Sequence, residues 1–242
     1  MLSKDQLDRL RVVLVATRNP LNIGAAARAM SNFGFLRLRV VRPYDVAFRE
    51  ARSAVGAPGL LADAEVFSTL ADAVADCSLV VGTTAVGSRQ LDHPVHPLDA
   101  GGEMICGHLA AGRAALLFGS EKRGLSNDDL SYCHWLMRIP TREEHDSMNL
   151  GQAVAVCLYE LIRTPKVTAD RHAGTDEQCI GRELDRLERV LLQALAAGGY
   201  TKPGTETATE EKTRRLLRRL TLTSADAETL TGMFAKLGRK RD

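Results

Sequence analysis

Ala114-Ala115-Leu116-Leu117-Phe118-Gly119-Ser120-Glu121-Lys122-Arg123-Gly124-Leu125-Ser126 is the stretch from which the fold is read. A short apolar run ending at a glycine predicts a buried strand that delivers a polar loop to the rim of a sheet. A second polar segment, His145-Asp146-Ser147-Met148-Asn149, opens a predicted helix over 147–163, with Leu150, Val154, Leu158 and Leu161 on one face. In an open parallel sheet small molecules bind outside the carboxyl ends of the strands, so these two loops are the first candidates for a site.

The loops exclude the common nucleotide cradles. Gly119 and Gly124 have the glycine spacing of a phosphate-binding loop, but Leu125 and Ser126 stand where that loop needs Lys and then Ser or Thr. Glu121 would also oppose a polyphosphate. A G-x-G-x-x-G dinucleotide fingerprint is absent from the sequence.

With 242 residues the chain has room for an α/β domain of about 150 residues and a smaller unit. A net charge of +2 permits a nucleic-acid partner without demanding one. Cys77, Cys106, Cys133, Cys157 and Cys179 are odd in number and lack C-x-x-C spacing, so they read as reduced core residues of a cytosolic protein. His93 and His96 have no acidic or thiol group in ligand spacing, and no metal site is expected. No signal peptide is read before Arg11, and no apolar run approaches the roughly 20 residues that span a bilayer. A cytoplasmic location is therefore expected.

Outward from the opening stretch, strands and helices alternate. Strands are predicted over 12–16, 36–41 (half-buried, from its alternation of apolar and basic residues), 65–67, 78–82 and 135–139. Residues 17–24 read as a loop, and 25–33 as a helix closed by Gly34, with Arg28 in its first two turns. The small side chains of Ala25, Ala26, Ala27 and Ala29 let that helix approach a neighbour closely. Helical segments follow over 50–61, 69–76, 98–111 and 127–132, the last with Ser126 as N-cap. Residues 83–85 form a third rim loop, and 87–97 read as irregular. The alternation predicts an α/β fold with a parallel sheet flanked by helices. A composition shift at Thr164-Pro165 divides the chain into 1–165 and a helical extension, 166–242. The extension opens with a polar linker over 166–178, and helices follow over 180–197, 210–220 and 225–237. Arg214, Arg215, Arg218, Arg219, Arg239 and Arg241 cluster there, either as a solvated helix face or as a contact for phosphates.

Three segments, in this order, resemble the three motifs of the SpoU/TrmH-type SPOUT methyltransferases: Asn22-Ile23-Gly24-Ala25-Ala26-Ala27-Arg28 with Phe33-Gly34, Leu117-Phe118-Gly119-Ser120-Glu121-Lys122-Arg123-Gly124-Leu125, and Ser147-Met148-Asn149-Leu150. The likeness covers roughly residues 11–163. The extension and Asp76-Cys77-Ser78-Leu79-Val80-Val81-Gly82-Thr83 are similar to a branch that methylates the ribose 2′-hydroxyl of the first anticodon-loop nucleotide of tRNA. The resemblance implies S-adenosylmethionine as methyl donor, a homodimer, and a carboxy-terminal part of the α/β domain threaded as a trefoil knot. It assigns Thr83, Thr84, Ala85, Gly119, Ile139, Ser147 and Met148 to the cofactor.

The resemblance also brings Arg28 to the target ribose, where the family arginine is a proposed base. A guanidinium stays protonated, so holding the adjacent phosphate or polarising the hydroxyl is physically easier. A solvated helix-face arginine is the plain alternative. Ser147 and Asn149 supply hydrogen bonds to cofactor and nucleotide, or cap the following helix. Asn22 orients Arg28 or contacts the backbone, or is a turn asparagine. Glu121 pairs with a cation in the site, or is a surface carboxylate. Across a dimer, Arg28 would serve the partner's cofactor. Ribosomal RNA as substrate, and a catalytically silent RNA-binding module, are the competing functions. The second would predict loss of the motif residues, which are present. The acidic run Glu143-Glu144-His145-Asp146 beside the site opposes RNA unless Lys122, Arg123 or Arg142 offsets it.

Overall fold

The computed structural model describes residues 2–53, 59–85, 92–142, 144, 147–163 and 177–238. The chain runs α1 (Lys4–Arg9), β1 (Leu10–Val15), α2 (Pro20–Phe33), β2 (Leu38–Val41), α3 (Asp45–Ser53), α4 (Gly59–Ala62), β3 (Glu65–Phe67), α5 (Leu70–Val74) and β4 (Leu79–Thr83). It continues through β5 (Val95–Pro97), α6 (Leu98–His108), β6 (Ala114–Phe118), α7 (Asn127–Ser131), β7 (Trp135–Arg138) and α8 (Leu150–Arg163). The extension adds α9 (Gly181–Ala197), α10 (Glu206–Arg219) and α11 (Ser224–Leu237).

Among the described residues the seven strands pair with one another only in parallel, in the order β3-β2-β1-β6-β4-β7-β5. Both faces of the sheet are covered, which is why β6 and, from Val12 on, β1 read as unbroken apolar runs rather than alternating ones. In β1, Leu10, Val12 and Leu14 join the core beneath α2, α6 and α8, while Val13 and Val15 join a second core beneath α5 and α7. A third cluster, Cys179, Leu184, Leu187, Leu217 and Ala227, holds the extension together. All five cysteines are buried with free thiols. No helix among the described residues is long and apolar enough to cross a membrane.

Several expectations change. The segment 17–24 is not all loop: Asn19 accepts a hydrogen bond from the Leu21 amide at 3.0 Å and Pro20 takes the first helical position, so α2 begins there. Arg28 thus stands in the third turn rather than the first two. β2 is fully buried rather than half-buried, because Arg39 has partners inside. Residues 95–97, read as irregular, form an edge strand too short and too exposed to leave an alternating signature. Residues 86–91, and 54–58 within the 50–61 prediction, lie outside the described residues. So does most of the predicted linker.

The basic cluster of the extension is the largest correction. Arg214 and Arg218 are 5% and 1% exposed, so they are neither a solvated face nor a phosphate contact. Arg214 Nε donates to both oxygens of Glu188 at 3.1 and 3.2 Å, and Nη1 to Asp128 and Ser131 at 2.9 Å each. Its guanidinium lies 4.1 Å from the centre of the Tyr132 ring. Arg218 donates to Asp185 at 2.8 Å. These bonds dock α10 against both α7 and α9. Arg215 pairs with Asp92 at 3.3 Å, and Arg239 and Arg241 lie outside the described residues.

A second buried network sits at the opposite end of the sheet from the rim loops. Asp76 accepts from Arg39 Nη2 at 3.1 Å and Arg113 Nη1 at 3.2 Å, with Arg11 Nε at 3.9 Å. Burial alone would raise its pKa, but the Arg39 hydrogen bonds and the charges of Arg39 and Arg11 outweigh this and hold the carboxyl at about 2. The folded pKa lies below the unfolded one, so the stabilisation is full above about pH 4 and is lost as pH falls toward 2. Urea melts across pH 5 to 2 will show this acid loss in the wild type, with a shallower slope in Asp76→Asn.

Candidate active site

The carboxyl ends of β4, β6 and β7 converge on a cavity of about 480 Å³, within the range of small-molecule sites. Its lining includes Thr83, Thr84, Ala85, Gly119, Glu121, Ile139, Ser147 and Met148, so the structure brings together every residue assigned to the cofactor from the sequence. Phe118, Leu125, Leu130 and Leu150 supply apolar walls. The sheet itself ties the rim loops: Thr83 Oγ1 donates to the Leu117 carbonyl at 2.8 Å, and the Thr84 amide to the Met137 carbonyl at 3.0 Å. Two strand ends on the same rim carry left-handed residues, Ala16 at φ 51° and Arg42 at φ 47°; such backbone is uncommon outside glycine.

The loop after β6 closes on itself. The Gly124 amide donates to the Ser120 carbonyl at 2.8 Å, and Gly124 takes φ 66°. A side chain at Gly119 would sit 2.0 Å from the Gly124 carbonyl carbon and 2.2 Å from the Leu125 nitrogen. Only glycine allows that approach.

Glu121 ties this loop to the start of α2. Its Oε1 accepts from the Asn19 amide at 3.0 Å and from Asn22 Nδ2 at 3.1 Å, and its Oε2 from the Arg18 amide at 3.2 Å. Burial pushes the carboxyl up, but these bonds, with one from its own backbone amide, bring its pKa below the usual value. Asn22 Oδ1 in turn accepts from Asn149 Nδ2 at 2.8 Å, and Asn149 Oδ1 accepts from the Gly151 and Gln152 amides at 2.9 and 3.4 Å. One chain of bonds therefore runs from the β6 loop through α2 to the start of α8.

That chain revises several assignments. Glu121 is not an idle surface carboxylate, since its oxygens bind backbone amides and an amide side chain. Asn22 is on a helix rather than in a turn and bonds Glu121 and Asn149. Asn149 is the cap of α8, which starts at Leu150 rather than Ser147, so Ser147 precedes the helix. Of the acidic run, only Glu144 is described, and Arg142 offsets it with an ion pair at 3.3 Å. His93 is buried and His96 lies edge-on to Trp135 at 5.2 Å; no group of metal-binding side chains occurs among the described residues.

Arg28 does not line the cavity of its own chain. It follows Asn22 by six residues, about 9 Å along the axis of α2. It is exposed on the same side as Leu21 and Ala25. The sequence reading missed the Arg18 and Asn19 amides as anchors for Glu121. The pair Asn19-Pro20 was the available signal, an N-cap followed by the first helical proline.

Such a site, built on the rim of a parallel sheet from strand-end loops and one capped helix, is that of a methylase: the SpoU rRNA Methylase family model matches residues 9–159, and the chain belongs to this family. A tRNA (cytidine/uridine-2′-O-)-methyltransferase TrmJ of Sodalis glossinidius is 35% identical over 237 residues, 96% of this chain and 92% of that protein. The protein of the same name from Klebsiella pneumoniae is 36% identical over 96% of this chain and 97% of its own length. Among solved structures, TrmJ from Z. mobilis ZM4 superposes with a TM-score of 0.81 at 32% identity, covering 95% of this chain and 99% of that one.

The two loop glycines separate packing from backbone conformation. Gly119→Ala forces backbone apart and is expected to cost about 3 kcal/mol or more, toward the upper end of overpacking. Gly124→Ala meets nothing within 4 Å and pays only for its left-handed φ, about 1–2 kcal/mol. Urea denaturation of the two variants checks this order.

Proposed function

We propose that the chain is an S-adenosylmethionine-dependent methyltransferase acting on the ribose 2′-hydroxyl of tRNA, at the first anticodon-loop nucleotide, a cytidine or uridine. The observation that carries the reading is likeness over nearly the whole chain, extension included, to relatives named for that reaction. The cavity suits the cofactor: apolar side chains can hold an adenine, and the Glu121 carboxylate at the wall favours a sulfonium cation where it would oppose a polyphosphate.

When bound, the cofactor supplies an electrophilic methyl group. The protein's task is alignment. Holding donor and acceptor in line accounts for about 7–11 kcal/mol of barrier lowering. Thr83, Thr84, Ala85, Gly119, Ile139, Ser147 and Met148 hold the cofactor in this reading, while Glu121, Asn22 and Asn149 fix the loops. The methyl group would pass from the donor's sulfonium sulfur, left as a neutral thioether, to the ribose oxygen, whose proton would go to solvent water. Arg28 grips the neighbouring phosphate or polarises the hydroxyl, a role its permanent charge permits more readily than that of base.

The reading includes a homodimer. Leu21, 79% exposed, and Tyr159, 53% exposed, lie on α2 and α8, and Phe33 packs on Tyr159 with ring centres 6.1 Å apart. Arg28 lies between Leu21 and Phe33 along α2, and in this reading a second copy seats on this face and takes Arg28 toward its own cavity. Residues 1–165 form the knotted catalytic domain in this reading, with 166–242 a helical, RNA-binding extension, and the enzyme works in the cytoplasm.

The test is transfer of labelled methyl from S-adenosylmethionine to tRNA and to ribosomal RNA, with nuclease mapping. Label on the ribose of the first anticodon-loop nucleotide is expected, falling roughly 100-fold or more in Arg28→Ala, the scale for one electrostatic group at a transition state. Label confined to ribosomal RNA would overturn the substrate. Absence of label despite cofactor binding would overturn the enzyme reading.

A further inference from the structure

The charges of α9 differ in what they bind. Its carboxylates are all engaged within the chain. Glu183 accepts from the Ile180 amide at 2.9 Å and from Ser224 Oγ at 3.0 Å. Asp185 accepts from the buried Arg218 at 2.8 Å, and Glu188 takes both bonds from Arg214 Nε. Arg182, Arg186 and Arg189, spaced four and three residues apart, share one side and are all exposed. No hydrogen bond or ion pair joins their side chains to another described residue, although Asp185 feels the charge of Arg189. Surface helices ordinarily intersperse the two signs. Here two of the three acids that would neutralise the stripe are spent on the arginines that dock α10.

The amino-terminal end of the stripe is also far from the cavity. The Gly181 and Arg182 amides donate to the Cys77 and Ala75 carbonyls, each at 3.0 Å, so α9 starts at the amino end of β4. The cavity lies at the carboxyl end of that strand, by Thr83. Six residues of extended chain separate the two, about 20 Å.

Resting on the tRNA reading above, we propose that Arg182, Arg186 and Arg189 form a second contact surface, which binds the phosphate backbone of the base-paired part of the substrate while the unpaired target nucleotide occupies the cavity. A run of about 10 Å along one helix face can address successive phosphates of one strand. Such contacts set affinity and its salt dependence and carry no sequence information. The site therefore favours folded RNA over a short single strand.

The experiment compares the wild type with R182Q/R186Q/R189Q and with R182K/R186K/R189K. Binding is measured by fluorescence anisotropy over a salt series, and methyl transfer by KM and kcat, on full-length tRNA and on an oligonucleotide of the anticodon loop alone. The glutamine variant should bind tRNA at least ten-fold more weakly, with kcat within two-fold. Its slope of log affinity against log salt should fall by about 0.9 for each phosphate no longer neutralised. The penalty should be much smaller on the loop oligonucleotide, and the lysine variant should recover most of the affinity. Unchanged tRNA affinity and salt slope in a folded glutamine variant would overturn the proposal, as would an equal loss on the loop oligonucleotide. A wild type that binds tRNA but methylates none would refute the catalytic reading and leave the binding comparison to decide the stripe.

Discussion

The cavity depends on where one carboxylate finds its hydrogen bonds. Glu121 sits in a loop that turns back through Gly124, and the amides of Arg18 and Asn19 lie across from it at the end of β1. Without a common anchor the β6 loop and the α2 start would be independent surface segments. With it, Asn22 is held so that its carbonyl oxygen can receive Asn149, and Asn149 can use its own oxygen to cap α8. Each partner is short and polar, and each bond fixes the geometry of the next. A negative charge that accepts from backbone amides is stabilised without a buried cation.

The same logic of spent charge governs the extension. Arg214 and Arg218 are buried, so desolvation must be offset by paired carboxylates. Glu188, Asp185 and Asp128 provide them. The consequence reaches the surface: with its acids turned inward, α9 presents arginines outward. Because Asp128 and Ser131 belong to α7, and Leu130 of the same helix lines the cavity, the extension packs on an element that also shapes the site. Packing of the extension and shaping of the site are thus joined through one short helix.

The sheet was largely legible because buried parallel strands read as apolar runs, and β1, β4, β6 and β7 all do so. Their rim loops were legible for the same reason, since each begins where an apolar run stops. What escaped were features set by partners distant in sequence. Arg39 looked like the exposed half of an alternating strand because Asp76, its inward partner, is 37 residues away. Arg214 and Arg218 looked like a surface cluster because a helical repeat marks a face without showing what packs on it. Glu121 and Asn22 were picked out by motif likeness, but their bond to one another spans 99 residues, and no local pattern reports it. The start of α2 was legible in principle from Asn19-Pro20, and the run of loop-forming residues around it concealed the signal.

Glu121 and Asn149 do not touch, yet through Asn22 they act as one unit, and the shape of the cavity rests on that coupling. A double-mutant cycle on the affinity for S-adenosylmethionine, measured by isothermal titration calorimetry with Glu121→Ala, Asn149→Ala and the combined variant, tests it directly. The shared hydrogen-bond chain predicts a coupling of about 1 kcal/mol or more, the double variant losing clearly less than the two single losses together. Losses that add to within about 0.5 kcal/mol would show that the two loops are held independently and would contradict the coupling.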